Sequence, residues 1–554
     1  MSAAPVLLLH PHDDLAVALR DLAAGDSVPV GGAEVVLRAP VAAKHKFALR
    51  NFRKGETAKL YGVTVGRAVR DIARGDWIHT GNLEHATQGC AVREARCEWI
   101  PPGVSRWAGA TFDGYRRRDG RVGTANYWIV VPLVFCENRN LLTIRAALLD
   151  ALGYSRAGPY QAFAQDLIHT WRSGGGPEAL AALRLRDSGP NGPESGRRPL
   201  FPGVDGLQFL LHEGGCGGTQ DDAQALCGLL AGYITHPNVA GATVLSLGCQ
   251  HAQIALIERE IALREPGYDR PFLVFEQQKS RSERNMMEDA IRSTFLGIAG
   301  AGDSRREPAG LERLIAGMEC GGSDGFSGIS ANPVIGAVAD RLTALGASVI
   351  LSEFPELCGV EQELADRCVT RELAARYLDL MARYQERAVA VGSGFHQNPS
   401  HGNIQDGLIT DAMKSAGAAK KGGTAPVTDV LDYPGWITRP GLTLLCTPGN
   451  DVESTTAMAG AGANLMFFST GLGTPTGNPV TPVIKISTTS ELAKRLPDII
   501  DFDAGAVIRG ERSPDELGGE LLDLCIAVAS GRVQPAAVRL GQADFIPWKR
   551  GVSL

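Results

Sequence analysis

Residues 318–333 read MECGGSDGFSGISANP and set Cys320, Ser323, Asp324, Ser327 and Asn332 among Gly321, Gly322, Gly325 and Gly328. Thiol, carboxylate, hydroxyl and amide groups on so bare a backbone suit a small anion, because glycine N–H groups approach a ligand without an intervening side chain. Upstream, RLIAGMEC has the composition of a strand. Downstream, ANPVIGAVADRLTALG predicts a helix with Asn332 as N-cap, Pro333 in the first turn, Gly346 as stop and Val334, Ile335, Val338, Leu342 and Leu345 as its buried stripe. Gly321 to Ser330 is therefore expected to be a loop at the C-terminal edge of a strand, where α/β sheets bind ligands.

The same construction recurs as HEGGCGGTQDD (212–222) after LQFLL, TPGNDVEST (447–455) after LTLLC and STGLGTPTGNP (469–479) after NLMFF. None matches GxGxxG with a ribose-binding acid, and none matches GxxxxGK[ST], so the loops point to a carboxylate rather than a nucleotide. His10, His12, Asp13 and Asp14 crowd HPHDD, and His212 and Glu213 lead into Cys216. Imidazole and carboxylate together suit a borderline divalent cation, although isolated histidines are commonly surface or satisfied core residues. Cys216 and Cys320 are either thiolates or small packed hydrophobes. Lys414, Lys420 and Lys421 lie near NPSHGN, and at least one of the adjacent pair is expected to be solvated.

The elements that position these groups follow from composition and pattern. A chain of 554 residues exceeds one core, and 44% hydrophobic with 21% charged residues fits a globular α/β multidomain protein. Its 67 glycines, about 12 per cent against an average of about 7, show no Gly-X-Y period and mark turns and backbone-lined sites. A net charge of -6 and the lack of a basic run argue against nucleic acid. The N-terminus lacks a basic leader and no run approaches the ~20 apolar residues of a membrane span, so a cytoplasmic protein without membrane partners is expected. Eleven cysteines without a CxxC pair argue against structural zinc and disulfides. Short β-runs over 1–95 predict a β-rich module with one helix around Leu15 to Ala23. A Pro/Trp/Gly linker spans 96–112, a second α/β domain 113–300 with a surface insertion at 173–203, and a third, also α/β, 308–554.

LHPHDDLAVAL, KHKFAL, YGVTVGRA, GYRRRDGRVGTANYW, LSLGCQ, MECGGSDGFSGISANP, NPSHGN, TPGNDVEST, STGLGTPTGNP, IDFDAG and RGVSL together resemble the altronate and galactarate dehydratase family of sugar-acid hydro-lyases. The resemblance implies an N-terminal SAF-type β-clip, two further α/β domains with the last Rossmann-like, and a divalent metal, Fe²⁺ with Mn²⁺ as the alternative. It implies loss of water from a hexonate, D-altronate first, to give a 2-keto-3-deoxy acid. It points to His10, Asp13, His45, Lys46, Cys216, Cys320 and Asp324; with His212 added from the residues themselves, His45, Lys46, Asp324 and Cys320 are the expected catalytic groups and His10, Asp13, His212 and Cys216 the expected metal ligands. For substrate it points to Asn126, Gly321, Gly322, Ser323, Ser327, Asn332, Asn398, Asn403, Asn450, Asp451, Gly471, Gly473 and Thr474. NPSHGNI departs from the family's NPSPGNK-type segment at His401 and Ile404.

The chemistry asked of these residues is hard. Taking a proton α to a carboxylate builds a dianionic enediolate, which calls for a metal, N–H donors, a base at C2 and an acid at the C3 hydroxyl. Galactarate, another leaving group as in related sulfo-lyases, and a non-catalytic sugar-acid sensor are the alternatives; no DNA-binding module supports the last. An iron–sulfur dehydratase is the mechanistic rival and needs about three cysteines, for which Cys216, Cys249 and Cys320 are available. A small-molecule substrate and a homodimer complete the expectation.

Overall fold

The computed structural model describes residues 4–94, 97–155, 159–185 and 198–553. Short apolar runs separated by turns build the N-terminal β module. Val6–Leu7, Leu15–Ala18, Lys46–Ala48 and Trp77–Ile78 form one antiparallel sheet in that order, and Thr57–Leu60, Val63–Ala68 and Leu83–Glu84 form another. Leu15–Ala18 is a strand where a helix is predicted over Leu15 to Ala23. It pairs on both sides and buries all four residues, so ladder and packing outweigh the helical preference of leucine and alanine.

Residues 97–104 run without regular structure to Trp107, whose indole N–H donates to Asp523 of the C-terminal layer at 2.9 Å. The next layer is a parallel sheet in the order Gly206–Phe209, Tyr127–Pro132, Val239–Ser246, Phe272–Glu276. Tyr127–Pro132 and Val239–Ser246 are buried throughout, as continuous apolar runs covered on both faces must be. Of the stretch expected as an insertion, residues 186–197 lie outside the described residues, and Pro177–Ala182 is a short helix with no buried side chain.

The C-terminal layer is a seven-stranded parallel sheet: Val427–Leu431, Gly441–Leu445, Ser348–Leu351, Ile315–Cys320, Leu465–Thr470, Val483–Ser487, Phe502–Asp503. The chain enters at the central Ile315–Cys320 strand, builds one wing, then returns to the other side of that strand at Leu465–Thr470. Strand order therefore reverses between Cys320 and Thr470, which opens a crevice at their carboxyl ends. The helix after the first loop spans Ala331–Ala344, and Gly346 beyond it takes a φ of +84°. Ser330, not Asn332, holds its N-cap position, because the Asn332 side chain is spent on Gly417 O and Ser469.

One hydrophobic cluster joins both α/β layers, with Ile129, Leu229 and Tyr233 on one side and Ile350, Met458 and Phe468 on the other. The helices Gln220–Ile234 and Asp451–Gly460 pack within it, Gly232 against Gly460. Among the described residues no helix is long and apolar enough to cross a membrane.

Candidate functional site

The crevice is lined first by charge. Cys320 ends the central strand and donates its S–H to Glu356 at 3.3 Å, while Lys421 Nζ donates to Cys320 Sγ at 2.9 Å and pairs with Glu353. Lys414 Nζ lies 2.7 Å from Glu356 Oε1 and 3.2 Å from Asn398 Oδ1. Ser454 Oγ donates to Glu319 at 2.6 Å. Glu353 sits in the left-handed region at φ +62°, ψ 57°, unusual for a residue with a Cβ, and is held there by its N–H on Thr447 Oγ1 at 2.8 Å. With Glu319 and Glu353 fully buried and Lys421 1% exposed, these interactions act in a low dielectric.

Burial, followed by the neighbouring Glu353, drives the Glu319 carboxyl far above its usual range, toward its neutral form. Burial and Glu353 likewise keep Cys320 a thiol. Burial opposes the Lys421 ammonium, yet Cys320 and the carboxylates outweigh it. Asp451 is pushed up to about 7 by burial, then by Glu353 and Glu356.

Glu319, Glu353 and Asp451 bring one oxygen each within 4.8 Å of the others, as Cys320, Glu353 and Glu356 bring theirs. The second trio already has the Lys421 ammonium on two of its members. In the first, Glu319 and Glu353 are hydrogen-bonded carboxyl to carboxyl, and its all-oxygen character fits a hard divalent cation that would displace the shared proton.

A second group adjoins across the Gly321–Asp324 loop. Lys44 Nζ lies 3.1 Å from both Asp324 Oδ2 and Asp406 Oδ1, which ties the N-terminal module to the C-terminal layer. Asp324 also accepts from Ser327 and Phe326 N–H. Lys46 is buried, donates to Gly407 O at 2.8 Å, and burial lowers its ammonium to about 7 despite Asp324. Burial opposes the Lys44 ammonium, but Asp324 holds it above its ordinary value. His45 spends both ring nitrogens, on Gln405 O at 3.0 Å and Trp77 N–H at 3.3 Å. Gly321 must be glycine, because a Cβ there would run into Asp451 Oδ2 and the Phe468 ring. Gly471 stands equally close against Asp324, and Gly322 faces Thr474. Gly473 and Thr474 direct their N–H groups at Thr470 Oγ1.

Other expected residues have structural tasks. Asn450 caps the Asp451–Gly460 helix through Val452 and Glu453 N–H. Asn403 completes the cap of His401–Gln405 and donates to Ser323 O at 2.7 Å. Asn126 lies at the opposite, N-terminal end of its strand, fully engaged by Gly203 O and Arg117. The metal set His10, Asp13, His212 and Cys216 does not come together. His10 and Asp13 lie in the N-terminal module, where the Asp13 carboxylate accepts N–H groups from His10, Tyr61 and Gly62. His212 faces Pro132 O at 2.8 Å and Gly214 N–H at 3.0 Å, leaving no lone pair for a metal, and burial lowers it to about 4.

Three of the four glycine-rich loops meet at the crevice. The fourth, with Cys216, lines a 690 Å³ cavity with Asn138, His251, Glu453 and Lys549. Asp451 and Glu453, two residues apart on one helix N-terminus, serve crevice and cavity respectively. Cys320 belongs to the crevice and Cys216 and Cys249 to the other sheet, so that set of three cysteines does not converge.

Lys44, Glu319, Glu353, Glu356 and Lys421 were not legible as site residues. A glutamate inside the apolar run RLIAGMEC, and another two residues after ASVIL, are the available signals. Of the adjacent lysines, Lys420 is part-exposed against Glu363 and Lys421 is buried.

Family models match three consecutive stretches: "Altronate/galactarate dehydratase SAF domain" over 4–86, "D-galactarate dehydratase/Altronate hydrolase, second domain" over 114–301, and "D-galactarate/Altronate dehydratase, C-terminal" over 311–553. The chain is 32% identical to an altronate dehydratase of Escherichia coli over 99% of each. It is 30% identical to an altronate dehydratase of Bacillus subtilis over 95% of each. A galactarate dehydratase (L-threo-forming) of Escherichia coli is 29% identical over 95% of this chain and 92% of its own.

Proposed function

The chain belongs to the altronate/galactarate dehydratase family, and from that membership we propose that it dehydrates a sugar acid, converting D-altronate to 2-dehydro-3-deoxy-D-gluconate. The observation that carries the reading is the buried constellation of Lys421, Cys320 and Glu353 beside the Glu319 carboxyl. It concentrates positive charge and closely set carboxyl oxygens at the strand-order reversal of a parallel sheet.

Glu319, Glu353 and Asp451 would hold the divalent ion, Fe²⁺ with Mn²⁺ as the alternative, and when bound it supplies positive charge to the substrate's carboxylate and hydroxyl oxygens. Lys414, at the mouth beside Asn398, attracts the carboxylate. Lys44 and Lys46 differ in the direction expected of an acid and a base working together: one stays charged, the other titrates near 7. Lys46, as the amine, takes the C2 proton; Lys44, as the ammonium, protonates the departing C3 hydroxyl; Asp324 holds Lys44 in place. The Gly321 N–H is spent on Ser469 O at 3.0 Å, which leaves the Gly322 N–H to meet the developing oxyanion.

The test is formation of 2-keto-3-deoxy acid by chelator-stripped protein given D-altronate or galactarate, with and without Fe²⁺ or Mn²⁺. Metal-restored turnover of D-altronate is expected. Metal-loaded protein that turns over neither acid would sink the reading.

A further inference from the structure

Cys136, Cys216 and Cys249 follow three adjacent strands of the second parallel sheet, Tyr127–Pro132, Gly206–Phe209 and Val239–Ser246, at one edge. All three are exposed free thiols, whereas Cys227, Cys320, Cys358, Cys368, Cys446 and Cys525 are buried. Backbone hydrogen bonds lace their loops together. Phe135 N–H donates to Gly214 O at 3.1 Å, and His251 and Ala252 N–H donate to Gly215 O at 3.0 and 3.2 Å. Cys136 and Cys249 thus each lie within two residues of a direct bond to the loop of Cys216. Gly215, at φ +98°, packs so closely that a Cβ would run into Leu133 O, on the segment leading to Cys136.

The spacing separates the possible ligands. A single tetrahedral zinc, with Zn–S of about 2.3 Å, draws its thiolates to about 3.8 Å from one another. Among the described residues the donor trios within 4.8 Å are the two acid-rich groups of the crevice, so these three sulfurs stand farther apart. A cluster in which each thiolate binds a different iron accepts sulfurs farther apart than that.

We propose that Cys136, Cys216 and Cys249 hold an iron–sulfur cluster at the 690 Å³ cavity, with one iron open to an oxygen ligand from it. A four-iron cluster offers one outer position per iron, and three thiolates leave one unfilled. Cys216 lines the cavity, as do Asn138 and His251, each two residues beyond the other cysteines. The helix Gln220–Ile234 starts four residues after Cys216, and its N-terminal partial charge favours an anionic group at that edge. Lys549 lines the same cavity and suits the carboxylate of a hydroxy acid whose oxygen meets the open iron. The cluster rests on the cysteine geometry; only the naming of its ligand as a sugar acid rests on the dehydratase reading.

The full chain is incubated anaerobically with ferric iron, sulfide and a thiol reductant, desalted, and assayed for iron, sulfide, visible absorption and alkylatable thiols. About four irons and four sulfides per chain are expected, with three fewer alkylatable thiols than in the untreated chain. Cys136→Ser, Cys216→Ser and Cys249→Ser each lower bound sulfide, whereas Cys90→Ser, exposed elsewhere, leaves it unchanged. Less than one sulfide per chain, with all three thiols still alkylated in wild-type protein, overturns the proposal whether or not the protein turns over a sugar acid. Conversely, a cluster in protein that turns over no sugar acid upholds it while ending the dehydratase reading. D-altronate is expected to shift the electron paramagnetic resonance spectrum of the reduced cluster; an unchanged spectrum in enzyme that turns over overturns the open-iron assignment.

Discussion

Two parallel sheets in one chain present their carboxyl edges in opposite chemical states. The C-terminal edge is buried and ionic: Lys421 between Cys320 and Glu353, Lys414 on Glu356, and Glu319 pressed toward its neutral form by burial. The second sheet's edge is open and thiol-bearing, and the buried His212 ring there is neutral and fully hydrogen-bonded. The same topology supplies loops in both cases; burial decides which groups keep a charge. Dense buried charge is costly to break, whereas an open thiol edge tolerates change but needs a ligand to protect it.

The sharpest way to break the contrast is Lys421→Met, which leaves Glu353 and Cys320 buried without their cation. A loss of about 3–5 kcal/mol in urea unfolding is expected, together with loss of turnover. An unchanged midpoint would mean that the ionic edge does not behave as a buried network.

Lys46→Met should lower kcat by about 10²–10⁴. In the wild type the rate should rise with pH through about 7, because the folded lysine must lose its proton to act as the base, and it is lowered to about 7. A flat pH–rate profile removes Lys46 from that role. At the same edge, metal affinity should fall about tenfold per pH unit below about 7, since protons compete for Asp451; calorimetric titration with Mn²⁺ at three pH values reads this directly.

The open edge answers more mildly. His212→Ala should cost about 1–3 kcal/mol by stranding Pro132 O and Gly214 N–H. Folded His212 stays neutral down to about 4, whereas in the unfolded chain it protonates below about 6.5, so the unfolded state gains protons first. Its contribution is therefore complete above about 6.5 and declines as pH falls toward 4, a slope that His212→Ala should remove from a urea-midpoint series.

The alternation of strand, glycine loop and helix was legible because it is local: RLIAGMEC, ASVILSEF, LTLLCTP, NLMFFST and PVIKIS all fall on observed strands. The miss at Leu15–Ala18 arose where pairing with distant strands overrode local preference. The candidate site was legible only in part. Gly321, Asp324, Asp451 and Gly471 stand together because loops following neighbouring parallel strands must, whereas Asn126, Asn332 and His212 went to structural bonds that no spacing announces.

By itself the sequence determined the order of elements, the family signatures and the loops that end the strands, since periodicity and turn chemistry act over a few residues. Tertiary structure alone decided which charges meet. Glu319, Glu353 and Lys421 come from three separate elements, and Lys46 falls to about 7 only when packing removes its water. Pairing energy and desolvation depend on neighbours tens to hundreds of residues away, and those exist only once the two sheets have closed on their shared core.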